Sequence, residues 1–273
     1  MKKAIIKNDI VPLFMEANRM GELADEVLYG MVVEVTGEAE HDLVEVLTHY
    51  NYTGYAPKEC LLMVTDTEAK EWQTIAEHVV SAPYADAMAE PKVQAARLAG
   101  LPRGAWISVQ GSAQDGWVPV QLAGGQKAFM RESHVVARAP HWQQVEENIF
   151  RSEVVYAALQ YKGAAYRWGG KSHLGIDCSG LVSMAYMLCG CLIFRDASIK
   201  PGFPVQEISK EDMKEGDLLF FPGHVAMYIG GGRYVHATGF AGDDGVVVNS
   251  LVPSEPDYRV DLAEKITQIG SVF

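Results

Sequence analysis

Short apolar runs separated by polar turns fill the N-terminal part of the chain. Residues 28–35 and 42–47 are two of these short apolar runs. Several strands of this length, joined by short turns, are typical of small all-β domains. The pattern predicts a small antiparallel barrel over residues 1–67.

A helical pattern follows. Its apolar side chains recur at i, i+3, i+4, i+7 and i+8, which places them on one face of a helix. These residues are Trp72, Ile75, Ala76, Val79 and Val80. The spacing predicts a helical connector over residues 68–83.

The strand pattern returns over residues 84–140. Its apolar runs are 105–109, 116–120 and 128–130. A weak repeat links residues 55–61 and 129–135, since each segment places an aromatic residue six positions before an apolar one. Both segments resemble the closing strand of bacterial SH3 domains, and Gly-Tyr-Ala-Pro at residues 54–57 is similar to a stretch common there. The resemblance implies two SH3-like barrels.

A third pattern begins near residue 141. Apolar residues at helical spacing come first, and Gly163 is a plausible stop for that helix. The apolar residues are Phe150, Val154, Ala157, Ala158 and Tyr161. Strand-like runs follow at 218–221, 225–229, 234–237 and 246–249. Helices followed by an antiparallel sheet predict an α+β domain over residues 141–273.

Composition narrows the classes of partner. The formal net charge of −12 argues against a nucleic-acid partner, because phosphate-backbone binders usually carry surplus Lys and Arg. No stretch approaches the roughly 20 apolar residues that span a bilayer, so no membrane partner is expected. Lys7, Asn8 and Asp9 interrupt the apolar start before a signal peptide forms. This predicts a cytoplasmic protein, or an extracytoplasmic one if a signal has been removed.

One of the four cysteines stands apart. The C-x-x-C spacing of zinc sites is missing, so no metal is expected, and Cys60, Cys189 and Cys191 are interpreted as small buried hydrophobes. Cys178 instead precedes an apolar stripe with a period of 3.6 residues. It is therefore expected at a helix N-terminus, where unpaired N–H groups and the helix dipole favour the reactive thiolate.

Two histidines are candidates for the base that such a cysteine needs. His224 opens one predicted strand, Gly230-Gly231-Gly232 can turn the chain, and His236 lies on the returning strand. A three-glycine loop places Ala226 opposite His236, which makes His224 a diagonal neighbour of His236 on the same face. A two-residue loop would send the two histidines to opposite faces.

The chemistry of cysteine and histidine then assigns a catalytic role to each of these residues. His224 would take the thiol proton and later protonate the leaving amine, and His236 would fix the tautomer and orientation of His224. The backbone N–H of Cys178 is the first candidate donor to the oxyanion of the tetrahedral intermediate.

Four motifs in order resemble the NlpC family: YRWGG at 166–170, GIDCSGLV at 175–182, GDLLFF at 216–221 and HVAMYIG at 224–230. The resemblance covers roughly residues 148–273. It implies a papain-like fold and a Cys-His-His triad, which maps onto Cys178, His224 and His236.

The resemblance also implies substrate contacts. Tyr166 is expected near the oxyanion, and Asp177 and Ser179 are expected to help bind substrate, although Asp177 has the alternative role of only capping the helix. Relatives with N-terminal bacterial SH3 domains cut murein peptides between γ-D-glutamate and a diamino acid, usually with a free N-terminal L-alanine. Asp196 is a candidate ligand for that ammonium group, and Tyr52 is a candidate contact from the first barrel.

The predicted fold class is therefore multidomain, with two small all-β SH3-like barrels followed by an α+β papain-like catalytic domain. The predicted function is a cysteine endopeptidase of murein peptide recycling, with no cofactor and no obligate protein partner. Two alternatives stay open. One is a peptidoglycan-binding protein whose third domain is weak or inactive, and the other is an acyltransferase that uses the same thioester intermediate.

Overall fold

The computed structural model describes residues 2–37 and 42–273. The chain divides into two compact units, Met1–Arg138 and Ala139–Phe273. Among the described residues, no helix is long and apolar enough to cross a membrane. The predicted domain boundaries at residues 67, 83 and 140 stay predictions.

The first sheet of the N-terminal unit has seven antiparallel strands. They are β1 (Lys2–Ile6), β2 (Ile10–Phe14), β3 (Leu23–Leu28), β4 (Val32–Val35), β5 (Leu43–Thr48), β6 (Thr53–Pro57) and β7 (Leu61–Val64). Their order is β3-β2-β6-β5-β4-β1-β7. In β2, Val11 and Leu13 are fully buried while the residues between and beside them are half-buried, as the two-residue strand period requires.

A single helix, α1 (Asp66–Ile75), follows the first sheet. Thr65 caps it, because its side chain accepts from the backbone N–H of Glu68 while the Glu68 carboxylate accepts from the backbone N–H of Thr65. Buried Trp72 donates from Nε1 to the carbonyl of Gly30 at 2.7 Å. The predicted helical face extended to Val79 and Val80, but the structure places both in the next strand.

The second sheet of this unit also has seven antiparallel strands. They are β8 (His78–Val80), β9 (Tyr84–Met88), β10 (Arg97–Pro102), β11 (Trp106–Val109), β12 (Trp117–Gln121), β13 (Lys127–Arg131) and β14 (Val135–Ala137). Their order is β10-β9-β13-β12-β11-β8-β14. Buried apolar side chains from most of these strands, including Leu101, Ile107 and Met130, form one core cluster.

The C-terminal unit contains two main helices and a six-stranded sheet. Its elements are α2 (Glu147–Leu159), β15 (Lys171–Ser172), β16 (Gly175–Ile176), α3 (Cys178–Leu188), β17 (Gln206–Ile208), β18 (Leu218–Phe221), β19 (His224–Gly230), β20 (Arg233–Thr238), β21 (Gly245–Ser250), α4 (Val260–Ala263) and β22 (Gln268–Ser271). The sheet order is β17-β22-β18-β19-β20-β21, and β15 pairs with β16 separately. Helix α3 is buried on all faces from Cys178 to Tyr186, which agrees with its high content of apolar residues.

The predicted fold class, two SH3-like barrels followed by an α+β papain-like domain, is wrong. Over residues 2–37 and 42–273 the chain is mostly β, with four sheets, four α-helices and no closed barrel. In the two seven-stranded sheets, the edge strands do not pair with each other. Alternating apolar residues predict strands and their buried faces, but barrel closure depends on pairing between strands distant in sequence.

Candidate active site

Cys178 is the first residue of α3 and is buried, with 5% of its surface exposed. The helix begins here because the side chain of Asp177 caps it, accepting from the backbone N–H of Gly180 at 2.6 Å. A Cβ atom on Gly180 would lie 2.2 Å from the carbonyl oxygen of Gly170. The first turn of α3 therefore packs directly against the preceding segment, and this contact fixes the position of the thiol.

Asp177 and Ser179 lie in a buried polar cluster around Arg195. The guanidinium of Arg195 donates to both carboxylate oxygens of Asp177 at 3.1 Å and to the Ser179 hydroxyl at 2.7 Å. Asp177 also accepts from the backbone N–H of Gly169 at 2.8 Å. The structure thus shows Asp177 as helix cap and ion-pair partner, while its predicted substrate contact, and that of Ser179, stay predictions.

Arg195 is a residue that the sequence reasoning missed. It is 1% exposed and forms a buried two-pronged ion pair with Asp177. Removing one partner of such a pair typically costs about 3–5 kcal/mol, because the other charge is left buried and uncompensated. The family resemblance made the neighbouring Asp196 a candidate substrate ligand. The sequence, however, contains no signal that the side chain of Arg195 is buried.

The two histidines meet through the register of β19 and β20. Met227 pairs with Val235, so Ala226 lies opposite His236 as predicted. His224 Nε2 lies 2.8 Å from His236 Nδ1. The structure thus brings the predicted pair into hydrogen-bond contact.

The turn that produces this register differs from the predicted one. The strands are joined by two residues, Gly231 and Gly232, rather than three. The register shifts between Tyr228 and Gly230, so Ile229 is an extra residue in a β-bulge. The two-residue turn alone would reverse the parity, and the bulge restores it.

His224 is also held by β18, the strand that precedes it in the chain. It pairs with Phe221 across the tight turn at Pro222-Gly223, and Gly223 has a φ of 68°. Its imidazole contacts the Phe221 ring at a centroid distance of 5.6 Å. The short link between β18 and β19 thus places His224 at the very start of its strand.

Asn249, which the sequence reasoning also missed, contacts the second ring nitrogen of His236, the one that does not contact His224. Its Oδ1 lies 2.7 Å from His236 Nε2, and the residue is 3% exposed. On β21 the partner of His236 is Val247, so Asn249 is a diagonal neighbour on the same face. The strand-parity argument that joined the histidines could have found it.

Burial governs the protonation of the site. Burial, and after it the Asp177 charge, raise the pKa of Cys178 to about 11, against the smaller opposing effects of the Val225 N–H, Arg195 and the Ser179 N–H. Burial lowers the pKa of His236 to about 4. Burial and the neighbouring His236 lower the pKa of His224 to about 3. These directions favour a neutral Cys178 thiol and neutral imidazoles in the free protein, and the expectation that the helix start favours a thiolate stays a prediction.

Tyr166 lies close enough to Cys178 to sense its charge. Burial, then the charges of Cys178 and Asp177, raise the pKa of its phenol to about 12. The phenol therefore keeps its proton and stays a hydrogen-bond donor at neutral pH.

The other two residues predicted to contact the substrate are Asp196 and Tyr52. Asp196 is exposed and lines a small cavity together with Ser198 and Val225, the residue whose N–H reaches the Cys178 thiol. Tyr52 lies in the N-terminal unit, directly before β6. The substrate contacts of Asp196 and Tyr52 stay predictions.

Comparison with known proteins defines the class as peptidase. The sequence profile of the NlpC/P60 family matches residues 163–258, which include Cys178, His224 and His236. Dipeptidyl-peptidase 6 of Lysinibacillus sphaericus is 44% identical over 274 residues, covering 99% of each chain. With a relative this similar over its whole length, the chain belongs to the NlpC/P60 family.

Two further similarities extend the comparison. Gamma-D-glutamyl-L-lysine dipeptidyl-peptidase of Bacillus subtilis is 30% identical over 159 residues, or 55% of this chain and 49% of that protein. The crystal structure of an NlpC/P60 family protein from Bacillus cereus superposes with a TM-score of 0.76 over 98% of both chains, at 22% identity. The second similarity supports the fold alone.

Proposed function

We propose that this protein is a cysteine endopeptidase that hydrolyses the bond between γ-D-glutamate and a diamino acid in short murein peptides. The observation that carries the proposal is the hydrogen-bonded pair His224–His236, one residue along the chain from the Val225 N–H that reaches the Cys178 thiol. The substrate class rests on similarity to proteins named dipeptidyl-peptidase and gamma-D-glutamyl-L-lysine dipeptidyl-peptidase.

Acylation begins with transfer of the Cys178 proton to His224. The sulfur attacks the γ-carbonyl carbon of D-glutamate, and the carbonyl oxygen becomes an oxyanion. The backbone N–H of Cys178 and the Tyr166 hydroxyl are the proposed donors to that oxyanion. His224 then gives its proton to the nitrogen of the diamino acid, the C–N bond breaks, and a thioester remains.

Water completes the reaction. His224 takes a proton from the water, the hydroxide attacks the thioester carbon, and the C–S bond breaks. The sulfur recovers the proton from His224, and the released γ-carboxylic acid then loses its own proton to solvent. Because the pKa values favour neutral thiol and imidazole in the free protein, formation of the thiolate is part of the activated step.

The test is incubation with L-Ala-γ-D-Glu-meso-diaminopimelate, followed by mass spectrometry. We expect release of diaminopimelate and the dipeptide, and no release by Cys178→Ala. Cys60→Ala is the matched control, because Cys60 lies in the N-terminal unit and is expected to leave the rate unchanged. An intact tripeptide at high enzyme concentration would rule out the proposed substrate, and transfer to an added amine would indicate an acyltransferase.

A further inference from the structure

The amide of Asn249 is held in one orientation. Its Nδ2 lies 3.1 Å from the backbone oxygen of Asp257 and 3.4 Å from Oδ2 of Asp243. Both neighbours are acceptors, so the amide nitrogen must face them and Oδ1 must face His236. The reversed amide would place its oxygen against two oxygens and its NH2 against the imidazole.

The carboxylate of Asp243 is in turn fixed by Arg259. The guanidinium donates to Asp243 at 3.1 Å and to both oxygens of Asp261 at 2.7 and 2.6 Å. It also stacks on the ring of Phe240 at 3.8 Å. The group that orients Asn249 therefore belongs to a charged cluster rather than to a mobile surface side chain.

The orientation of Asn249 determines the protons of both histidines. Since Oδ1 only accepts, His236 Nε2 must carry its proton, and the neutral ring then has an acceptor at Nδ1. His224 Nε2 must donate to that acceptor. The remaining nitrogen of His224, Nδ1, keeps its lone pair.

We propose that Asn249 is a positioning residue that selects the tautomers of His236 and His224, and so leaves Nδ1 of His224 able to take the Cys178 proton. The role in catalysis rests on the proposed function. When His224 becomes a cation, His236 can still accept from it, because the Asn249 contact holds the His236 proton at Nε2. Asn249 itself touches no reacting atom.

The direct test is 15N NMR of the wild-type protein labelled at histidine, with the two rings assigned through His224→Gln and His236→Gln. We expect a protonated Nε2 and an unprotonated Nδ1 in both rings at neutral pH. A wild-type His224 that carries its proton at Nδ1 would overturn the proposal, and this measurement needs no Asn249 variant to fold.

Two variants separate tautomer selection from packing. Asn249→Leu keeps a similar volume but removes the acceptor, so we expect mixed tautomers and a kcat lowered roughly tenfold to a hundredfold, no more than the ~10²–10⁴-fold contribution of a general base, with KM little changed. Asn249→Gln keeps an amide with one acceptor and one donor, and is expected to retain the wild-type tautomers and more of the rate than Asn249→Leu. Asn148→Leu, on the exposed face of α2, is the control for the substitution itself.

The outcomes distinguish this inference from the proposed function. If the wild-type protein leaves the tripeptide intact but shows the expected tautomers, which Asn249→Leu disturbs, the substrate is wrong and the positioning role stands. A folded Asn249→Leu protein with wild-type tautomers and wild-type kcat overturns the positioning role, whichever peptide is cleaved.

Discussion

At the residue scale, Cys178 is subject to two opposing influences. The start of α3 favours a negative charge on sulfur, whereas burial favours the neutral thiol, and burial prevails in the free protein. The partner histidines are likewise held neutral by burial. We therefore expect the reactivity of Cys178 to rise with the concentration of hydroxide.

Alkylation of Cys178 by iodoacetamide measures this property. With a pKa of about 11, the thiolate fraction rises about tenfold per pH unit, so we expect the rate to climb steadily from about pH 6 to about pH 9. The Cys60→Ala protein removes the half-exposed thiol, and the buried Cys189 and Cys191 serve as internal references in the same mass-spectrometric digest. A rate independent of pH over this range would instead reveal a preformed thiolate.

The residues of the site differ in how well they can be predicted from the sequence. Cys178, His224 and His236 follow from spacing and motif, because a helix start and a strand pair are local patterns. The burial of Arg195 could not be predicted, because its partner Asp177 lies 18 positions away and no local pattern indicates a buried charge. Burial of the thiol is equally nonlocal, so the helix-start argument left out the burial that raises the pKa of Cys178.

At the element scale, the start of α3 depends on a contact between backbones. Gly180→Ala would place a Cβ 2.2 Å from the Gly170 oxygen, so α3 must move away from residues 169–170. We expect a loss of about 1–3 kcal/mol in the free energy of unfolding, as for other overpacked sites. Displacing the thiol by about 1 Å should lower kcat/KM about a hundredfold.

The control for this substitution is Gly111→Ala. A Cβ there would meet only Cγ of Pro119, at an ordinary 3.6 Å. Urea unfolding and tripeptide cleavage are compared for both variants. Unchanged activity and stability in Gly180→Ala would show that α3 tolerates the added methyl group and that the contact with Gly170 does not position the thiol.

The predicted hairpin gave the right pairing of histidines through the wrong turn. Counting residues across Gly230-Gly231-Gly232 assumed a regular ladder, and the actual ladder contains a bulge at Ile229. A bulge leaves no clear mark in an apolar strand such as Val225–Ile229, since it depends on how the backbone twists between its partners. Helix α3 was better determined, because its apolar spacing and its cap are both local.

At the scale of the whole molecule, strands were predicted well and their assembly was not. The runs at 105–109 and 128–130 largely coincide with β11 and β13. Each belongs to a seven-stranded sheet with two unpaired edges, whereas the pattern was interpreted as closed barrels. Closure requires long-range pairing that alternation cannot encode.

The net charge of −12 gives an expectation for intact cell wall. Murein carries carboxylates, so an acidic protein should associate weakly with purified sacculi at low salt, and screening by added salt should increase the bound fraction. Sedimentation measures that fraction, with Cys178→Ala used to prevent cleavage. Strong binding of Cys178→Ala at low salt, together with no release of fragments by the wild-type protein, would favour a wall-binding protein over a hydrolase of short peptides.

The bulge at Ile229 also affects which changes of chain length the hairpin can accept. Gly230 pairs with Arg233 and Tyr228 with Tyr234, so Ile229 belongs to neither pair. Removing it would leave a regular ladder with the same partners, and His224 would still face His236. The tip of this hairpin is thus a place where evolution can delete a residue without disturbing the chemistry several residues away.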